Sequence, residues 1–429
     1  MDDARSRYRE LDGLRALSVA AVFAFHVVPA APSIFGRGWN PQWHIAGMSI
    51  EPPLQVYKYV FHLNVGVQVF FVLSGFLITS MFVRPWFEGR NGPALPSYST
   101  RRLARIFPAY WVVLFVGSVT WFGLGEIDFP QPFGAWKHAT LTYYFFRERY
   151  APDFGGIDYG GLSVSWSLVA EITFYAFVPL WFAVVRRSAG ESHMKRRRVA
   201  LFASAACIPI GAMCVLVFAY RTPWQVRTIL GGLVTVFGAG LVSLGIGMVL
   251  AVLVADRSCR ERLRPLGEHV GRWWCGAAAV FVVLAWPEFP YLQASSGQQV
   301  WQRLVQPVIA ALIVAPLVFA PGAATRTHRF LRSTVLVWIG AISYGVYLWH
   351  TLIINRVLER WPMATLASDG SVTAVRGSLS ALAVMSVAAA LTIGVAAASW
   401  YGIERPILQC AGRLGRSNGR RAGSTLAPS

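Results

Sequence analysis

The feature that most constrains this chain is a repeated one: about ten apolar runs near the ~20 residues that a helix needs to cross a bilayer. They fall roughly at residues 13–31, 61–83, 106–124, 164–185, 199–219, 229–254, 273–289, 304–321, 334–357 and 378–402. In lipid every backbone polar group must be satisfied internally, so such runs fold as helices. The expected fold class is therefore all-α, a polytopic membrane helical bundle. Composition agrees: only 14% of the 429 residues are charged and 55% are hydrophobic, against about 25% charged in soluble domains. The seventh run is the weakest, being closed by Pro287 and Pro290. Ala139 to Phe146 is apolar but too short to span, and reads as re-entrant or interfacial.

The formal net charge of +19 invites a nucleic-acid reading. The placement of the charge argues against it. Basic residues sit between the runs and alternate in density. One side collects Arg5, Arg7 and Arg9, then Arg84 to Arg105, Arg186 to Arg198, Arg257 to Arg272, Arg326 to Arg332 and the C-terminal tail. The other side holds far fewer. By the positive-inside rule both termini are expected in the cytoplasm, and an even number of spans keeps the alternation consistent. A cleaved signal peptide ending near Pro29, Ala30 and Ala31 is disfavoured by the ionisable Arg15 and His26 inside the first run. The five cysteines, Cys207, Cys214, Cys259, Cys275 and Cys410, have no metal-ligand spacing and read as apolar fillers. No metal site is expected. The tail from residue 409 is Gly-, Ser- and Arg-rich and is expected to be disordered, leaving residues 1–408 as one membrane domain.

Five segments hold groups that are costly inside a membrane. In LDGLRALSVAAVFAFH, Asp12 reads as the N-cap of the first helix. Arg15 and His26 then lie eleven residues apart, which is about three turns. Both face one way, with roughly 16 Å between them along the axis. Buried ionisable groups line cavities or pathways; the alternative is a snorkelling Arg and a His bonded to a neighbouring helix. In NVGVQVFFVLSGFLIT, Ser74 and Gly75 would let another helix or a narrow ligand approach closely. In RRLARIFPAYW, Arg102 and Arg105 share a helix face, which suits bidentate binding of phosphates or serves as a positive-inside anchor. In SVSWSLVAEITFY, Trp166 and Tyr175 flank Glu171, a carboxylate that needs a partner or a wet cavity; His26 is a candidate partner. In ISYGVYLWH, Tyr344 and His350 lie within a span, and His350 reads equally as a functional or a hydrogen-bonded core residue. A phosphate-loop GxxxxGK[ST], an HExxH and a GxSxG elbow are all absent from the sequence, which argues against an ATP-driven pump, a zincin and an α/β-hydrolase.

In order and spacing, LDGLRA with His26, FFVLSGFLIT, RRLARIFPAYW, SWSLVAEITFY, ISYGVYLWH and the ERPI at Glu404 to Ile407 resemble the acyltransferase-3 family of bacterial membrane O-acyltransferases. The resemblance runs from residue 8 to about 408. It implies transfer of an acyl group from cytoplasmic acyl-CoA, a co-substrate and not a bound cofactor, to a hydroxyl. The acceptor would be a cell-envelope carbohydrate, a lipid-linked sugar or a macrolide-like metabolite. It implies a bacterial cytoplasmic membrane. It maps the family's Arg and His onto Arg15 and His26, its paired arginines onto Arg102 and Arg105, its small-residue motif onto Ser74 and Gly75, and its buried carboxylate onto Glu171. The expected roles are His26 as general base, Glu171 as its orienting partner, the arginines on the CoA phosphates and Ser74 with Gly75 along the pantetheine path. Some relatives append an SGNH esterase-like domain. This chain is expected to lack one, and so to complete transfer itself or with a separate extracytoplasmic partner. A lipid or polysaccharide transporter would equally explain ten spans, but not the paired arginines with the Arg–His pattern.

Overall fold

The computed structural model describes residues 8–30, 43–45, 48–50, 56–122, 132–143, 145, 162–190, 192–220, 229–285, 296–360, 364–366, 372–375 and 378–413. Long helices dominate: α1 (Arg9–Ala30), α2 (Val56–Phe61), α3 (Val65–Phe87), α4 (Leu95–Phe122), α5 (Pro132–Ala139), α6 (Trp166–Ala189) and α7 (His193–Tyr220). A π-helical stretch, Leu233–Gly238, leads into α8 (Ala239–Ala255). Then come α9 (Arg257–Gly267), α10 (Val270–Ala285), α11 (Ser296–Phe319), α12 (Arg326–Leu331), α13 (Thr334–Glu359) and α14 (Ser378–Ser399). Among the described residues, two small antiparallel hairpins, Trp43–Ile45 with Met48–Ile50 and Ala364–Leu366 with Val372–Val375, are the departures from all-α.

Among the described residues, eight helices are long and apolar enough to cross a membrane by length and composition. The charged but 22-residue α1 and the 16-residue α10 correspond to the first and seventh predicted runs. Pro287 and Pro290, which close the seventh run, lie outside the described residues. Ala139 ends the short helix α5 and the chain turns at Thr140 and Leu141, so this patch does not span; Phe146 lies outside the described residues. The last helix runs on through a π-helical turn, Trp400–Glu404, and stays helical over 405–413. Residues 409–413 thus continue the helix where disorder was expected; 414–429 lie outside the described residues.

The bundle is organised by α1, which packs against α13 and α3, while α3 packs against α8 and α8 against α7. Between bilayer-embedded helices there is little hydrophobic drive, so small residues that allow close approach decide the contacts. At Gly75 of α3 a Cβ would overlap the carbonyl of Leu244, and at Gly247 of α8 one would overlap that of Val72. Likewise a Cβ on Gly13 would overlap the Leu331 carbonyl, and one on Gly340 the Asp12 carbonyl. Large apolar side chains face outward elsewhere, with Phe202 79% exposed, as a lipid-facing surface requires.

The start of α1 differs from expectation. The helix begins at Arg9, one turn before Asp12. Buried Glu10 holds that extra turn: its carboxylate accepts from Arg332 Nε at 3.2 Å and from the Gly322 N–H at 2.9 Å. Asp12 is therefore not an N-cap. It sits inside the helix and pairs with Arg15 at 2.6 Å.

Candidate active site

Two polar centres lie along α1. The first is a cavity of about 820 Å³, open solvent at its mouth included, lined by Arg15 from α1, Ser74 from α3, Arg102 and Arg105 from α4, Ser167 and Glu171 from α6, and Ser343, Tyr344 and Tyr347 from α13. Phe70, Phe71, Leu73 and Ile78 supply its apolar wall. The i, i+3 spacing of the two α4 arginines puts both on the cavity, as predicted.

The three arginines are not equivalent. Arg15 is held by Asp12. Arg102 donates to Met81 Sδ at 2.7 Å and lies over the rings of Tyr98 and Tyr175, 5.7 and 5.3 Å from their centroids. Arg105 makes no hydrogen bond or ion pair among the described residues, and its guanidinium fork is left for a ligand. Three arginines against Glu171 give the cavity a positive balance fitted to an anion.

Glu171 accepts from Tyr175 Oη at 2.6 Å and from Ser74 Oγ at 3.3 Å. Its expected pairing with His26 is thus corrected. The reason is local: Ser167, one turn earlier on the same face of α6, already takes the position next to α13, exchanging a 2.7 Å hydrogen bond with Tyr347 Oη. Glu171 is then carried one turn away, to the level of Ser74 and the arginines. Gly75 is a second correction. Successive helical residues point about 100° apart, so Ser74 faces the cavity while Gly75 faces α8 and serves close packing. Trp166 does not line the cavity; it packs edge-on against Phe71, 6.0 Å between centroids. Tyr344 does line it, and its hydroxyl donates to the Ile106 carbonyl at 2.7 Å.

The second centre is a pair of histidines that sequence spacing did not connect. His26 Nδ1 lies 3.0 Å from His350 Nε2, with ring centroids 4.7 Å apart and nearly perpendicular. His26 Nδ1 is also 2.9 Å from the Val22 carbonyl, and fully buried His350 has its Nδ1 2.7 Å from the Tyr347 carbonyl. Tyr347 joins the centres: its ring lines the cavity and stands 5.7 Å from that of His350. Arg15 and His26 thus mark two stations about 16 Å apart on one helix face.

Sequence reasoning left Tyr347, Ser167 and Glu404 off the site. Tyr347 had a signal, being i, i+3 to His350. Glu404, buried and accepting from Ser399 Oγ at 3.0 Å within the π-helical turn, was signalled by its place in an apolar run; it acts electrostatically on Arg105. No group of three or more metal-ligating side chains occurs among the described residues, and all five cysteines are free.

A family model described as an acyltransferase domain, acyltransferase 3, matches residues 8–401. The chain belongs to the acyltransferase-3 family. Among its relatives, acyltransferase MdmB of Streptomyces mycarofaciens is 26% identical over 356 residues, 81% of this chain and 79% of that protein. A Staphylococcus aureus (strain COL) protein provisionally named an O-acetyltransferase is 25% identical over 358 residues, 81% of this chain and 50% of the relative. A Bacillus subtilis (strain 168) protein provisionally named peptidoglycan O-acetyltransferase YrhL is 23% identical over 353 residues, 80% of this chain and 48% of its own length. The chain therefore spans about half the length of the last two. No solved structure matches. This acyltransferase-3 member is a multi-pass membrane O-acyltransferase.

Proposed function

We propose that the enzyme moves an acyl group, acetyl in the simplest case, from cytoplasmic acyl-CoA to a hydroxyl of a cell-envelope carbohydrate, glycolipid or secondary metabolite. It works in a bacterial cytoplasmic membrane with both termini inside. The observation that carries this reading is the arginine-lined cavity, which shares Tyr347 with the histidine pair. The CoA phosphates bind at Arg105, with Arg15 and Arg102 adding fixed charge. The pantetheine arm passes Ser74 along the apolar wall, a distance comparable to the roughly 16 Å between Arg15 and His26. Glu171, held by Ser74 and Tyr175, offsets the cationic charge and shapes the cavity.

His26 is the general base. It removes the acceptor hydroxyl proton as that oxygen attacks the thioester carbonyl. The tetrahedral intermediate collapses by breaking the C–S bond, and the imidazolium returns the proton to the departing CoA thiolate. Such a base contributes on the order of 10²- to 10⁴-fold. The acceptor class draws on the relatives' names: one is provisionally named a peptidoglycan O-acetyltransferase, and that chemistry is a hydroxyl of an envelope glycan. The test is incorporation of radiolabelled acetyl-CoA by purified protein in nanodiscs, together with mass spectrometry of envelope glycans and secreted metabolites with and without the gene. A lost acetyl mass is expected. Label transfer that is absent from every hydroxyl acceptor, alongside net movement of a lipid or glycan across the membrane, would instead make the protein a transporter.

A further inference from the structure

We propose that His350 is a positioning residue that fixes which nitrogen of His26 acts as base; this rests on the general-base reading above. The argument is a count of protons. A carbonyl oxygen only accepts, so the 2.7 Å contact from His350 Nδ1 to the Tyr347 carbonyl places that ring's proton on Nδ1. In the neutral ring Nε2 is then an acceptor. The 2.9 Å contact from His26 Nδ1 to the Val22 carbonyl likewise places a proton on His26 Nδ1. That N–H is shared between the Val22 carbonyl and His350 Nε2, 3.0 Å away. All the contacts are consistent with one assignment of two neutral rings. The opposite tautomer of His26 would set its lone pair against Val22's. The lone pair of His26 is therefore on Nε2, which makes no hydrogen bond among the described residues.

Once Nε2 takes the hydroxyl proton, His26 is an imidazolium whose Nδ1–H still points at His350. The second ring then stabilises the charge as a neutral acceptor, the part a carboxylate plays in a Ser–His–Asp triad. His350 can do this because it is completely buried and anchored through its own Nδ1. Among the described residues, α14 contains no titratable group and α3 only Arg84 near its far end; α13 carries Tyr347 behind His350, with Arg356 and Glu359 toward its C-terminal end, and α2, which also packs on α1, carries Tyr59. Glu171, the expected orienting carboxylate, is bound elsewhere.

The experiment compares wild type with H26A, H350A, H350Q and H350N, each purified in nanodiscs, for acetyl-CoA turnover as a function of pH. Partners that orient an imidazole are worth about 10- to 100-fold, so H350A is expected to lower kcat by that factor and leave the KM for acetyl-CoA unchanged. Loss of the acceptor makes the imidazolium less stable, so the acidic limb of the kcat profile is expected to move to lower pH. A fold defect alone would lower the active fraction without moving that limb. H350Q carries an amide oxygen near the position of Nε2 and is expected to recover part of both; H350N, one methylene shorter, is not. If H350A fails to insert, H350Q against H350N decides, and equal activity with identical limbs in those two overturns the inference. An inactive H26A with a wild-type H350A profile overturns the role of His350 alone. Normal turnover by H26A overturns the general-base reading beneath it.

Discussion

Arg105→Ala isolates the anion site. Arg105 lines the cavity and spends none of its donors on the protein among the described residues, so its removal deletes ligand contacts with little rearrangement of the wall. A hydrogen bond to a charged group is worth about 1.5–3 kcal/mol. At roughly 1.4 kcal/mol per factor of ten, the KM for acetyl-CoA should rise about 10- to 150-fold. Phosphates lie far from the reacting carbonyl, so the contact is the same in ground and transition states and kcat should hold. The assay is steady-state transfer by purified R105A with two donors, acetyl-CoA and S-acetyl-pantetheine, which lacks the phosphates. Wild type should prefer the first, and R105A should lose most of that preference. A preference that survives intact would refute the phosphate assignment, whatever happens to the overall rate. Arg102→Ala is the contrast: its guanidinium is engaged with Met81, Tyr98 and Tyr175, so it should lower thermal stability as well as affinity.

Other outcomes follow from the same geometry. His26→Ala should abolish transfer while inserting normally, as judged by size-exclusion of the purified variant. Glu171→Gln removes a negative charge from the arginine cavity and should lower the KM for acetyl-CoA while leaving the acidic limb of kcat in place; a displaced limb would return Glu171 to His26. Gly247→Leu drives a side chain into the Val72 carbonyl and should prevent a monodisperse protein from being purified at all. Asp256, outside the spans, caps α9 by accepting from the Cys259 N–H at 2.9 Å and from Ser258 at 2.6 Å. Burial raises its pKa, but these bonds and Arg197 outweigh it and hold the carboxyl below the usual range. Its stabilisation is present above the unfolded value near 3.8 and is lost as pH falls through the lower folded value. Asp256→Asn should flatten the fall in melting temperature across that acid window.

The spans were legible because bilayer thickness imposes one length on every helix: among the described residues eight of the ten predicted runs fall on helices long and apolar enough to cross, and the first and seventh fall on α1 and α10. Arg15, Arg102, Arg105 and Ser74 were legible because helical periodicity puts them on defined faces. What periodicity does not give is which helix each face meets. Gly75 went to α8 and Ser74 to the cavity on a rotation of one residue. Glu171 had its helix right but its partner wrong, because Ser167 already occupied the place beside α13 and Glu171 lies instead with Ser74 and the arginines. The meeting of His26 with His350 depends on the packing of α1 against α13, and nothing local to either segment encodes it. Asp12 looked like a cap because the partners of buried Glu10 that extend the helix to Arg9, Arg332 and Gly322, lie more than 300 residues away.

The histidine pair also has a place in time. Its members are 324 residues apart, on helices whose backbones come close where Gly340 meets the Asp12 carbonyl. Chains emerge from ribosomes at about 5–20 residues per second, so His26 waits on the order of 15–65 s for His350 to be made. Throughout that interval α1 lies in the membrane with Arg15 and His26 lacking the helix that will shelter them. A nascent chain halted before α13 holds the arginines but lacks the histidine pair, which is complete only when α13 is laid against α1.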